Sequence, residues 1–147
     1  MQRKLLNDSN GQRTFAVILE TGDEVQACMT TFIETEGIRA AQFSAIGAFS
    51  DVELLYFDWE SKSYQKSAIA EQVEVASLIG DVAESPSGES AIHIHAVVGR
   101  RDYTALAGHL GEAHVRPTLE VLLTESPAHL HKRFDKESGL ALIRMES

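Results

Sequence analysis

Residues 91–99 read AIHIHAVVG. A segment this short, apolar and rich in β-branched residues is a strand, and a strand points successive side chains to opposite faces. Ile92, Ile94 and Ala96 then share one face, and His93 and His95 share the other. The two imidazoles start about 7 Å apart along the backbone, close enough to lean onto a common cation. The segments around it have the same character. RTFAVILE (13–20), RAAQFSAIGAF (39–49, ending in a glycine bend), DVELLYFDWES (51–61) and SYQKSAIAEQ (63–72) read as strands, the last two joined through a DWESKS turn. VEVASLIGDVA (73–83) and PTLEVLLTES (117–126, opened by Pro117) are further strands. ESPSGES (84–90) is a loop. RRDYTALAGHL (100–110) breaks the pattern and reads as a loop with a helical turn, returning to a short strand over 107–115. Residues 131–145 read as a hairpin or loop ending in a strand over 139–145.

One segment departs from the twofold rhythm. Val25, Cys28, Met29, Phe32 and Ile33 recur at helical spacing, with Thr21 or Asp23 able to cap the start and Gly37 placed to end it. The spacing predicts one amphipathic helix over about 23–36, with Cys28 a small core residue. Many short strands and one helix make the fold class α+β with a largely antiparallel sheet. A chain of 147 residues is the length of one domain, and this one is read as a single domain over 1–147.

Thirteen Lys and Arg against twenty-two Asp and Glu give a net charge of −9. Phosphate neutralisation supplies most of the affinity of nucleic-acid binders, so this balance argues against direct nucleic-acid binding. Cys28 is a lone cysteine, so no intrachain disulfide forms. The first residues carry no apolar run of a signal peptide, and no membrane span is read, which leaves the cytoplasm as the expected compartment.

On its own the HIH pair reads as two polar residues on a solvated or half-buried strand face, and it needs a third ligand to make a metal site. His109, in AGHLGEAH, is the nearest in sequence and His114 the next. Three histidines with an open fourth position have the composition of a catalytic zinc site, in which bound water is acidified. A second triplet, His129 and His131, lies in a polar, turn-rich neighbourhood and reads as surface histidines. Glu120 is an isolated acid in an apolar strand, either the exposed face of that strand or a candidate to hold a ligand histidine in its tautomer or to handle a proton. Arg100 and Arg101 follow the histidine strand and read as a solvated pair or as an anion grip. Gly47, Gly80 and Gly99 permit bends or close packing.

Taken in order, GDEV, FIETEGIRAAQFSAIGAFSDVELLYFD, VEVASLIGDVA and IHIHAVVGRRDYTALAGHLGEAHVRPTLEVLLTE resemble the PPC domain, the plants-and-prokaryotes-conserved domain, over about 13–145. The resemblance implies an α/β sandwich with a mostly antiparallel sheet, assembled as a homotrimer. It implies a divalent metal, zinc the expected one, on His93, His95 and His109, near a subunit boundary and open to a small-molecule ligand. The family also carries a DNA association, through an Arg-Gly-Arg-Pro hook in plant members. This sequence lacks that tetrapeptide, and its GRRD at 99–102 is not one. A regulatory or DNA-associated assembly module is the alternative function. Neither reading names a substrate or a reaction.

Overall fold

The computed structural model describes residues 1–145. Among them the chain forms nine strands and one helix: β1 (Gln2–Ser9), β2 (Gln12–Glu20), α1 (Val25–Glu36), β3 (Ala41–Asp58), β4 (Ser63–Ile69), β5 (Val73–Glu84), β6 (Ser90–Gly99), β7 (Ala105–Glu125), β8 (His131–Phe134) and β9 (Ala141–Arg144). The architecture is mostly β with a single short helix. One sheet holds all nine strands, and every ladder is antiparallel except the single parallel pairing of β5 with β8.

The sheet closes on itself. β3 pairs with β5, β5 with β6, β6 with the first residues of β7, and the remainder of β7 with β3. Inside this ring lie Phe43, Phe49, Leu78, Ile94, Val98, Leu110, Leu119 and Leu123, all buried. Helix α1 covers the core with Val25, Met29, Phe32 and Ile33. Phe32 meets Phe15 of β2 edge to face at 5.3 Å between ring centroids. Burying a side chain of this size contributes about 1.5–3 kcal/mol, so the four helical positions bind α1 to the sheet far more firmly than its intrinsic propensity would.

The helix is capped by Glu24 rather than by Thr21 or Asp23. Glu24 bridges to His114 in extended backbone conformation, which hangs its carboxylate over the first turn to accept from Gln26 N and Ala27 N. Asp23 instead accepts from Glu20 N, and the Thr21 hydroxyl donates to the Pro117 carbonyl. Gly37 ends the helix in the left-handed region at φ 66°, as its position predicts.

One strand was not read from sequence, and two further readings change. β1 is a strand although each of its residues is exposed, because the Asn10–Gly11 turn (φ 53° and 80°) folds it back onto β2. β7 runs unbroken from Ala105 through Pro117, so the loop expected over 100–110 is confined to 100–104, where Tyr103 N donates to the Arg100 carbonyl, and the strand starts before 107. Ala105–Leu110 lacks a strand-forming composition, and pairing with β6 and β3 on either side decides its conformation. β3 likewise continues through Gly47, where a bulge rather than a chain reversal shifts which residues face inward: Ala41, Phe43 and Ala45 before it, Val52 and Leu54 after.

Gly47 sits at φ 154°, and a methyl group there would run into the Thr118 carbonyl oxygen of β7. Overpacking against backbone has no easy relief. Gly47→Ala is expected to lower the stability of the fold by about 1–3 kcal/mol. A urea midpoint that moves down with an unchanged m-value is the expected reading, and an unchanged midpoint would show that the bulge tolerates a side chain.

Candidate metal centre

His93 and His95 project from β6 on the face opposite Ile94 and Ala96, as strand alternation requires. Register brings the third histidine. His109 stands directly opposite His95 in the β6–β7 ladder and also pairs with Leu55 of β3. It therefore occupies the point where the ring closes. Gly108 makes this crossing possible, since a Cβ there would press on the Leu55 carbonyl oxygen at 2.9 Å.

One ring nitrogen from each of His93, His95 and His109 falls within 4.8 Å of the others. The Nε2 atoms of His93 and His95 are 3.1 Å apart. Two imidazole nitrogens bound to one tetrahedral zinc lie roughly 3.4 Å apart, so the pair needs only a small opening to take a cation. The three rings crowd at centroid distances of 4.9, 4.9 and 5.3 Å. The Tyr64 ring of β4 lies tilted against His109 at 5.1 Å, and the buried His109 Nδ1 has no hydrogen-bond partner. An orphaned ring nitrogen beside two converging imidazoles suits a bound cation, which would recruit lone pairs that the metal-free protein leaves unused.

Electrostatics favour the neutral form of two of the three histidines, His95 and His109. Burial, then the neighbouring His93 and His95, then Lys132, push the His109 pKa down to about 4. Burial and the proximity of His93 lower His95 as well. Neutral imidazole is the metal-binding form, so the lowered pKa values of His95 and His109 favour the form that a cation needs. His93 turns its other nitrogen outward, with Nδ1 3.4 Å from Asp81 Oδ2. Burial alone would raise the Asp81 carboxyl, but the His93 contact and the Lys132 charge outweigh it and hold the pKa below the usual carboxylate range.

Beside the histidines opens a cleft of about 650 Å³. Its walls include His93, His95, Asp81, Gln42, Ser44 and Leu122. Glu120 is on the same sheet face but lines a different cleft, with Ile46, Gly47 and Thr118. The carboxylate in contact with the triad is Asp81, which the sequence reading missed. Its signal was available once strands 73–83 and 91–99 were paired, since Asp81 lies opposite His93. The other sites read from sequence stay apart from the triad. His114 is bound to Asp51 at 2.8 Å, and His131 lies 3.4 Å from Glu84 while His129 is exposed. Arg100 is held by Glu71. Cys28 is partly buried against the core.

The family model of the Plants and Prokaryotes Conserved (PCC) domain matches residues 7–127. The chain belongs to the PCC domain family. Among solved structures it resembles a metal-containing protein from Archaeoglobus fulgidus at 33% identity, covering 90% of this chain and 93% of that one with a TM-score of 0.82. A plant- and prokaryote-conserved protein from Pyrococcus horikoshii is 27% identical over 99% of this chain and 96% of its own, with a TM-score of 0.84. A Bacteroides thetaiotaomicron protein, provisionally described as DNA-binding, shares the fold at 23% identity, 97% and 96% coverage and a TM-score of 0.84. No curated protein matches the sequence. Among the described residues no helix is long and apolar enough to cross a membrane.

The pKa shifts fix the sign of a pH effect. A histidine whose folded pKa is depressed is protonated more readily in the unfolded chain, so it costs no stability above about pH 6.5 and an increasing amount as pH falls toward 4. Metal-free protein is expected to melt at progressively lower temperature between pH 6.5 and 4, and His109→Leu is expected to flatten that slope. Calorimetry with chelator present checks it, and an equal slope in both proteins would remove the histidine as the cause. The raised pKa of His114, caused first by its hydrogen bond to Asp51, works in the opposite sense: its contribution is full below about pH 6.5 and is lost as pH rises through the folded value.

Proposed function

We propose that this PCC-domain chain is a zinc-binding homotrimer in which His93, His95 and His109 hold the metal and a small molecule binds in the adjoining cleft. The convergence of three ring nitrogens within 4.8 Å carries the reading. The similarity to a metal-containing protein at 33% identity supports it. Three histidines leave a coordination position open, and zinc bound there would supply Lewis-acid polarisation of a ligand oxygen or an acidified water. The remaining roles belong to this chain's own side chains. Asp81 Oδ2 lies 3.4 Å from His93 Nδ1, placed to draw that nitrogen away from the triad and so direct Nε2 inward. Gln42 and Ser44 offer polar contacts along the cleft, and Ile79 and Leu122 offer apolar ones. The proton-handling or tautomer-fixing role read for Glu120 passes to Asp81.

Trimer formation is supported by the same sheet face. Ile46, Ile79 and Leu122 lie more than half exposed on it, at 62%, 59% and 56%. Neighbouring apolar residues left open in this way mark an interface, and copies arranged about a threefold axis would cover them. Direct DNA binding has little support on the surface. With a net charge of −9, several of the arginines are also committed to carboxylates: Arg3 and Arg13 to Glu36, Arg39 to Glu84, Arg100 to Glu71 and Arg144 to Asp135.

Elemental analysis of purified protein is expected to find about one zinc per chain, and His93→Ala or His109→Ala to lose it; metal-free wild type, or full metal in either variant, would end the proposal. Sedimentation is expected to show a trimer, with Leu122→Lys giving monomers. Chelation then separates a ligand-binding metal from a structural one: a trimer that survives zinc removal assigns the metal to ligand chemistry, and one that falls apart assigns it to assembly.

A further inference from the structure

Residues 128–145 lie beyond the matched family region, and they form a hairpin that reaches the metal centre. β8 and β9 pair antiparallel, and the turn between them is fixed by Asp135, whose carboxylate accepts from Ser138 N and from Arg144. The hairpin docks on β5 at one place. His131 pairs with Glu84, Glu84 N donates to the Leu130 carbonyl at 2.8 Å, and the Glu84 carboxylate also faces His131 Nδ1. The next residue is Lys132. Its side chain is only 11% exposed, and its ammonium lies 3.8 Å from Asp81 Oδ1.

A lysine withdrawn this far from water demands a partner, because an unpaired buried charge is costly. The partner is the carboxylate that touches the histidine triad. The two oxygens of Asp81 have different neighbours: Oδ2 faces His93 Nδ1 at 3.4 Å, and Oδ1 is buried, has no hydrogen bond among the described residues, and faces Lys132. Without the ammonium, Oδ1 would be a buried acceptor with nothing to hold it, and the carboxylate would turn toward solvent. Carboxylates behind ligand histidines orient the ring and raise its basicity. Here the carboxylate is itself oriented from behind.

We infer that Lys132 is a positioning residue for the metal centre: its ammonium fixes the Asp81 carboxylate against His93 Nδ1, and the docked C-terminal hairpin thereby sets the metal affinity of the triad. This rests on the reading of the triad as a metal site. It makes the hairpin a part of the site, although none of its residues is a ligand.

Zinc affinity of the full chain, measured by competition with a chromophoric chelator, tests it. Lys132→Met is expected to weaken zinc binding about 10–100-fold, the usual cost of losing an outer partner of a ligand. Lys132→Arg, which keeps the charge, is expected to restore most of the affinity. Cobalt substituted for zinc reads the geometry directly, and its visible absorption is expected to shift in Lys132→Met and to return in Lys132→Arg. Wild-type affinity with an unshifted cobalt spectrum in Lys132→Met would overturn the inference, as would an equal loss in the Met and Arg variants, which would make the effect one of packing. If Lys132→Met does not fold, Lys132→Gln decides: it keeps a polar side chain without the charge and is expected to weaken zinc binding, whereas unchanged binding overturns the inference. Failure of the wild-type chain to bind zinc or cobalt is a separate result, and it would remove the metal reading itself.

Discussion

His95 pairs with His109 at the place where β6 meets β7, and much else in the molecule follows from that register. β7 is flanked there by β6 on one side and by β3 on the other, so a single strand crossing both closes the ring and delivers the third imidazole. A slip of one residue in the β6–β7 ladder would send His109 to the opposite face and bring Leu110, now buried, out toward water. Burial of the core and assembly of the triad are thus enforced by the same pairing. The close approach at Gly108 is the local condition for it, since a side chain at that position would force β7 away from β3.

The electrostatic design around the triad follows from partial burial. Removing imidazoles from water disfavours their charged form, which preserves the lone pairs that a cation needs. Asp81 shows the opposing effect: burial works against its charge, yet a histidine on one side and a lysine on the other hold it ionised. Around the triad the lowered pKa values of His95 and His109 leave Asp81 as the adjoining group held charged, and Lys132 balances it. A divalent ion would therefore dominate the local field and favour an anionic or strongly polar group at the open position.

The strand that carries His93 and His95 was legible in the sequence because alternation is a local property, and α1 was legible for the same reason. The resemblance carried His109 into the ligand set, and spacing alone left it beside His114. The errors fall where tertiary pairing overrides composition. Ala105–Leu110 has no strand-like run and becomes a strand because it lies between two others. β1 has no buried face at all, and only the Asn10–Gly11 turn announced it. Asp81 looked like an ordinary acid at the end of an apolar strand until register put it opposite His93. Glu120 shows the converse: an acid in an apolar strand drew attention, and the fold placed it in another cleft.

The three histidines lie on two consecutive strands joined by a short loop, whereas the ladder that completes the barrel joins Ala41 to Glu125. The ligand set is therefore local in sequence, and the enclosure around it is not. Loop-closure entropy falls mainly on the long β3–β7 pairing, which also dominates the contact order on which folding speed depends. A cation bound as proposed would meet the three histidines on a single hairpin before the barrel has closed. If the triad holds a metal as proposed, its availability during folding would bear on how the chain reaches its native state as well as on what that state binds.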